Sequence, residues 1–347
     1  MEKKGIGLVF AGGGGRGSYE IGVWKYLHEI TLDKQVSIVS GTSVGALNAT
    51  LFAGCDYETA EKIWLNISQD KILTPKQIPA EDIMEWFVGK GLNICDPITK
   101  GFSTVVSGAL FGAETITLDM INKYIGGGCF SREGLKEIIE KNLDFEKLRN
   151  SHILCYATCL RVPFFDVERF ILNDYSKEEI TSILLASSAI PIIFPLEEIF
   201  GDKYCDGGFP IGGDNVPITP VYEEGLKDII VVHLKQDTII DKEKYTDARI
   251  IEVVPQDDLG DILGTLDFSP EGALQRLNKG YEDAKRILSP MFEMVKLTKK
   301  NLDMLNAAVI RNDELEKKRA ELKEIEQKNK DELNALENDP SFAKLLD

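Results

Sequence analysis

Along the first fifty residues, short apolar runs alternate with glycine turns and with stretches of helical spacing. Residues 5–10 (GIGLVF) form an apolar run of strand length, followed by four consecutive glycines. Residues 18–29 then place Ile21, Trp24 and Leu27 three apart, one face of a helix. Residues 36–39 form a second apolar run, a turn carries Ser43, and 44–52 reads as apolar helix. Strand, turn and helix repeated in this way predict parallel strands joined by right-handed crossovers. Further strands are expected at 151–160, 167–172, 228–234 and 249–254. The predicted fold class is α/β: a three-layer α/β/α sandwich with a mainly parallel sheet, plus a C-terminal helical tail.

Residues 88–129 differ in character, being rich in Gly, Ser and Thr but dotted with Phe102, Val105, Val106, Leu110 and Phe111. An ordinary insertion and a lid over a site are both open readings. Ser131 is expected to cap a helix that carries Leu135, Ile138 and Ile139 on one face. Residues 180–200 contain serines, prolines and glutamates, so they read as buried helix and loop and not as a membrane span. Ser269-Pro270-Glu271 has the order of a helix start. From 291 onward the chain is charged and helical, with Leu315, Leu322 and Ile325 at heptad-like spacing too brief for a coiled coil. That tail, 291–347, packs on the main domain or on a partner in this reading, a homodimer being one such arrangement. No internal repeats are visible.

Composition narrows the classes. The 347 residues are 43% hydrophobic and 28% charged, ordinary for a folded globular chain. A net charge of −17 argues against nucleic acid as a partner, since phosphate binding needs clustered Lys and Arg. It leaves transient contact with a membrane or micelle open. Six scattered cysteines, with Cys155 and Cys159 four apart on one strand, read as reduced core thiols and not as a zinc site. Lys3 and Lys4 precede an apolar run too short for a signal peptide, so a cytoplasmic location is expected.

The chemistry concentrates in three motifs. Gly12, Gly14 and Gly17 match G-x-G-x-x-G between strand and helix, the setting of a dinucleotide site. Such a site also wants an acidic residue ending the second strand, and Asp33 lies before that strand instead. A phosphate loop needs lysine where Ser18 stands. What remains is a row of backbone N–H groups at Gly13, Gly14, Gly15 and Arg16, able to receive an oxyanion as readily as a phosphate. Arg16 either adds positive charge or anchors the loop. Gly41-Thr42-Ser43-Val44-Gly45 is G-x-S-x-G at a strand–helix turn, where both flanking glycines relieve crowding around a nucleophilic serine.

A serine nucleophile needs a base. His28 sits near a helix end, His152 begins a strand, and His233 lies in the apolar run 229–234 without a turn to present it. Only His233 has the chain order of a triad member. Asp206 is better placed, because Gly207 and Gly208 supply a turn that lets its carboxylate approach another loop.

These motifs resemble the patatin-like phospholipase family over roughly residues 5–235. The resemblance rests on Gly12–Gly17 with its basic residue, on Gly41–Gly45 and on Ala186-Ser187-Ser188-Ala189-Ile190-Pro191. It is completed by Asp206-Gly207-Gly208 and Asn215-Val216-Pro217. It implies a Ser–Asp dyad with Ser43 as nucleophile, Asp206 as general base and amides within Gly13–Arg16 as oxyanion hole. It also implies an acyl hydrolase domain over 1–290 acting on lipid or acyl-ester substrates, with phospholipase A or lysophospholipase activity. No metal or cofactor is required, and no EF-hand-type calcium loop is present. Two other readings stand beside it: an esterase or thioesterase of soluble acyl groups, and a phospholipase latent until an effector binds.

Overall fold

In a computed structural model of the chain, residues 5–73, 130–191, 193–260 and 262–337 are described. The glycine-rich stretch 88–129 lies outside them. Eight strands form one sheet: β1 (Ile6–Phe10), β2 (Val36–Thr42), β3 (Leu154–Val162), β4 (Asp166–Ile171), β5 (Glu197–Ile199), β6 (Asp202–Asp206), β7 (Asp228–Val232) and β8 (Arg249–Val253). Hydrogen-bonded neighbours follow the order β5-β6-β3-β2-β1-β7-β8, with β4 also on β3. Pairings β1–β2, β1–β7, β2–β3 and β7–β8 are parallel, whereas those of β3 with β4, β3 with β6 and β5 with β6 are antiparallel.

The register around β3 decides what the sheet brings together. On one edge of β3, β4 runs continuously from Tyr156↔Ile171 to Arg161↔Asp166. The other edge is therefore shared. Strand β2 occupies it up to Thr42↔Thr158, and β6 occupies it from Val162↔Lys203 back to Cys159↔Asp206. Because β6 is antiparallel to β3, the C-terminal ends of β2 and β6 meet head to head. The residue after Thr42 is Ser43, and the residue that ends β6 is Asp206.

Alternation of side chains sorts the two faces. Val9, Ile38, Ile229 and Val231 face one way and pack with Ile218, Val221 and Leu226. These last residues surround the short helix α8 (Thr219–Glu223). Phe10 faces the other way, its ring 6.3 Å from Phe52 of helix α2 (Val44–Gly54), which in turn lies 4.7 Å from Trp24 of α1 (Ser18–Glu29). Helices on both faces of the sheet make three layers. Local capping fixes where α3 (Tyr57–Asn66), α6 (Phe145–Arg149) and α7 (Lys177–Ser187) start. Asp56 and Asp144 accept from Thr59 and Lys147 amides, and Ser176 with Glu179 closes a reciprocal capping box.

Strands β3, β4, β7 and β8 lie within one to three residues of the expected bounds, and two further boundaries near the site differ from expectation. Ser131 is not the cap of α5 (Glu133–Asn142); Arg132 holds that position, while the Ser131 hydroxyl accepts from the Glu133 amide at 3.2 Å. The face carrying Leu135 and Ile139 is buried as the spacing requires. Strand β2 runs three residues past Val39, because Ser40 and Gly41 still pair with Val9 and Phe10. The four-residue helix α4 (Gln69–Ile72) follows α3, and the helix α9 (Ile262–Leu266) lies against the glycine turn after β1.

Contacts divide the chain into Met1–Ile287 and Leu288–Asp347. The first unit includes the start of helix α10 (Pro270–Glu337), where the Ser269 hydroxyl accepts from the Gly272 amide at 3.2 Å. In the second, that helix continues through Pro290 and carries exposed apolar side chains including Leu302, Leu315, Leu322 and Ile325. Among the described residues, no helix is long and apolar enough to cross a membrane.

Candidate active site

Ser43 occupies the bend between β2 and α2 with φ 57 and ψ −124, a backbone conformation costly for any residue with a side chain. The neighbours allow it. A Cβ on Gly41 would collide with the Gly45 carbonyl, and one on Gly45 with the carbonyls of Phe10 and Ala11. Both flanks of the serine are thus closed to larger residues. The N-terminus of α2 begins immediately after Ser43, so its positive end faces the hydroxyl. The Ser43 amide is tied down as well. It donates to the Ser187 hydroxyl at 2.9 Å, which itself donates to the Thr158 carbonyl at 2.7 Å.

Asp206 is buried, and the Ser43 hydroxyl lies near enough to its carboxylate to favour the ionised form. Burial pushes its pKa up to about 6, against the Ser43 hydroxyl, the Gly208 amide and the charge of Arg132, which all favour the carboxylate. The Gly208 N–H reaches Asp206 Oδ1 at 2.7 Å. The backbone at Asp206 is fixed by its amide on the Ala189 carbonyl at 2.9 Å, and the Gly207 amide reaches the Ser187 carbonyl at 3.3 Å. Arg132 is itself buried, its guanidinium on the Leu185 and Ser188 carbonyls and the Ser188 hydroxyl at the end of α7. Its pKa falls to about 10 through burial, with Glu197 opposing, which leaves it cationic at neutral pH.

The glycine turn spans Gly14–Gly17 as a tight 3-10 element, entered through Gly14 at φ 58. That left-handed value, with the Thr265 carbonyl where a Cβ would stand, requires glycine. Three amides here are already spent. Those of Ala11, Gly12 and Arg16 donate to the carbonyls of Val232, Asn215 and Gly13 at 3.2, 3.1 and 3.3 Å. Asn215 also donates through its side chain to the Gly12 carbonyl at 3.2 Å, so both polar groups of Gly12 are held by one residue. The Arg16 amide, one of the expected oxyanion donors, thus already has an acceptor within the turn. Gly15 does not line a cavity with Ser43, and the space beside it is taken by the Asp267 and Gly264 carbonyls. Gly13 and Gly14 do line one.

Two cavities open on Ser43 from different sides. One, of about 80 Å³, is walled by Leu47, Leu51, Ile63, Trp64, Leu135 and other apolar side chains. The second, of about 170 Å³, holds Asp206, Gly12, Gly13, Asn215, Arg16 and Lys235. Gly14, Ser43, Ile190 and Thr265 border both.

A family model described as patatin-like phospholipase matches residues 8–222, more than half of the chain. The chain belongs to that family. It is accordingly a hydrolase and, in general terms, a lipid acyl hydrolase. The chain is also similar to VipD from Legionella pneumophila, at 18% identity and TM-score 0.49, covering 83% of this chain and 67% of that one. A second similar structure is the type III effector protein ExoU, at 16% identity and TM-score 0.39. That similarity covers 83% of this chain and only 53% of ExoU. No curated protein matches by sequence.

Within this patatin-like chain, the structure brings Ser43 and Asp206 together and leaves the histidines apart. His233 follows β7 instead of lying inside it, and its Nε2 is 3.1 Å from Glu252. His28 pairs with Asp33 at 2.6 Å, before β2, and His152 is exposed. None of the three lines either cavity. Cys155 and Cys159 are buried free thiols on β3, their pKa values raised by burial.

Sequence reasoning missed Arg132, the Ser187 relay and Glu20. Glu20, fully buried in α1, has its pKa raised well above the carboxylate range by desolvation and accepts from Asn48 at 2.7 Å. Asn48 also donates to the Gly17 carbonyl and accepts from Trp64, so this network braces the glycine turn from behind. A glutamate one turn into an apolar helix was the visible signal.

Ser187→Ala leaves the buried Ser43 amide without an acceptor, costing about 1–3 kcal/mol. Urea unfolding should show that loss, and ester turnover should fall with it. If Asp206 must be ionised to act, kcat/KM falls as pH drops through about 6. Arg132→Gln removes a charge that favours the carboxylate, so the acid limb of the same profile should move to higher pH.

Proposed function

We propose that the protein cleaves carboxylic esters of lipids through a Ser43–Asp206 dyad and a covalent acyl-enzyme, with residues 1–290 as the hydrolase domain. The observation that supports this most is that the nucleophile candidate Ser43 and the buried carboxylate of Asp206 line one cavity, with the hydroxyl near enough to favour the ionised carboxylate. At neutral pH a base with a pKa near 6 is mostly ionised yet basic enough to take the hydroxyl proton in the transition state. Attack of Ser43 Oγ on the ester carbonyl transfers that proton to Asp206, which returns it to the departing alcohol. Asp206 then takes a proton from the water that opens the acyl-enzyme, and Ser43 is regenerated on its protonation. In this reading the Gly13 and Gly14 amides and the α2 N-terminus stabilise the tetrahedral oxyanions.

The cavity pair supports a lipid over a small soluble ester. An apolar pocket against the nucleophile suits an acyl chain, and the polar cavity opposite suits the alcohol portion. Phospholipase A or lysophospholipase activity is the specific form this takes.

Ser43→Ala should abolish acyl-enzyme trapping by a fluorophosphonate probe and reduce ester turnover to background. Asp206→Asn should lower kcat by roughly 10²–10⁴-fold, the usual range for a general base. Wild-type turnover in either variant would refute the dyad. Ile63→Trp narrows the apolar pocket and should shift the preferred acyl chain to shorter lengths, read by competition among esters of graded chain length. An unchanged preference would place the acyl chain elsewhere.

A further inference from the structure

Four of the described residues border both cavities that open on Ser43: Gly14, Ile190, Thr265 and Ser43 itself. An ester with its carbonyl at the nucleophile and its two ends in the two cavities crosses this boundary. Apart from the nucleophile, Thr265 alone among the four carries a polar side chain. It lies beyond residue 222, where the family match ends, and belongs to none of the three motifs. We propose that the Thr265 hydroxyl is a further catalytic group, donating a hydrogen bond to the oxyanion that forms when Ser43 attacks the ester carbonyl.

The glycine turn by itself offers few donors. Gly13 and Gly14 line the polar cavity, Gly15 does not, and the Arg16 amide already has an acceptor. Thr265 packs directly on Gly14, with its carbonyl and its methyl group Cγ2 in the space that a Gly14 side chain would need. The methyl group is thus turned to the glycine, which leaves the hydroxyl another direction. Thr265 is 7% exposed, and its hydroxyl makes no hydrogen bond among the described residues. Hydroxyls on residues so buried are ordinarily satisfied within the protein. This one is not sealed off as a buried orphan either, so it opens on the cavities that the residue lines. The segment that carries it is tied down on its far side. Arg276 donates to the Asp267 carbonyl at 2.7 Å, to the Asp267 carboxylate at 2.9 Å and to the Ser18 hydroxyl at 3.3 Å. The Ser18 hydroxyl in turn donates to the Gly15 carbonyl at 3.4 Å, so one clasp holds both the Thr265 segment and the glycine turn. Phe268 lies nearly parallel to Trp64, ring centroids 6.5 Å apart. A donor fixed in this way needs no reorganisation when charge develops on the carbonyl oxygen.

This inference rests on the dyad reading above, and the test separates the two. Wild type, Thr265→Val and Thr265→Ser are compared on p-nitrophenyl hexanoate. Valine keeps the shape and the methyl group and removes the donor; serine keeps the donor. Thr265→Val should lower kcat by roughly 10²-fold, the scale of one lost oxyanion donor, with KM little changed. Thr265→Ser should keep most of the wild-type kcat. Hexyl trifluoromethyl ketone, which forms a hemiketal oxyanion with Ser43, should bind Thr265→Val more weakly by the same factor. If valine prevents folding, Thr265→Ala against Thr265→Ser gives the same comparison, since those two differ by the hydroxyl alone. Wild-type kcat in the variant lacking the hydroxyl, while Ser43→Ala is inactive, overturns the Thr265 assignment alone. Equal losses with and without the hydroxyl, or unchanged affinity for the ketone, make the residue a packing element and overturn it too. Turnover surviving in Ser43→Ala overturns the dyad and this inference with it.

Discussion

A carboxylate removed from water, yet held within reach of a hydroxyl, is the constraint on which the rest of this structure depends. Left alone, Asp206 would keep its proton to still higher pH, because burial penalises its charge. Three groups offset that penalty, and each comes from a different part of the chain. Ser43 stands on the elbow before α2, the Gly208 amide is in the turn after β6, and Arg132 caps α5. Arg132 must itself be compensated, and the carbonyls that end α7 receive its guanidinium where that helix is most negative. The outcome is a pKa near 6. Fuller compensation would leave a weaker base, and less would leave more of the carboxyl protonated.

The sheet makes this meeting possible through one unequal length. Strand β3 has nine residues and β2 only seven, and their register leaves residues 159–162 of β3 unpaired by β2. An antiparallel strand can fill that overhang only from the far end, and β6 does so, terminating where β2 terminates. A parallel β6 would have delivered Asp206 to the distant end of the overhang. The Ser187 hydroxyl then ties the end of β2 to β3, since it accepts from the Ser43 amide and donates to the Thr158 carbonyl.

How much of this the sequence disclosed follows from which interactions are local. Strand β1, α1 and the elbow were readable because glycine positions, three-residue spacing and the G-x-S-x-G pattern express constraints within a few residues. Asp206 was singled out by its own turn, Gly207-Gly208, but its distance from Ser43 was not visible. That distance depends on the overhang of β3, which no periodicity reports. Ser187 belonged to a recognisable segment without a visible task, because its partners lie 144 and 29 residues away. Arg132 was hidden for a different reason. An arginine beside a serine at a helix start reads as surface, and only the tertiary placement of α7 buries it. His233 was drawn into a strand by the apolar run, although β7 stops one residue earlier and Glu252 occupies its ring.

The division between apolar and polar cavities has a topological origin. Strand β1 lies between β2 and β7; the chain leaving β1 goes on to β2 and the chain leaving β7 goes on to β8, so the two connections diverge from neighbouring C-terminal ends. In open α/β sheets a crevice forms at such a point. The glycine turn fills it and borders both cavities through Gly14. On the β2 side, α2 contributes Val44, Leu47 and Leu51, whose burial demands apolar neighbours. On the β7 side no helix follows the strand end immediately among the described residues, and the chain passes through Lys235 to a polar segment. A nucleophile after β2 therefore faces hydrocarbon on one flank and charge on the other. An amphiphilic ester fits that boundary in one orientation, with its carbonyl at Ser43 and its two ends in the media each prefers. The energy that separates the media is the ordinary cost of leaving apolar surface in water or charge in hydrocarbon. Orientation of the substrate thus comes from the fold itself, before any specific contact is made.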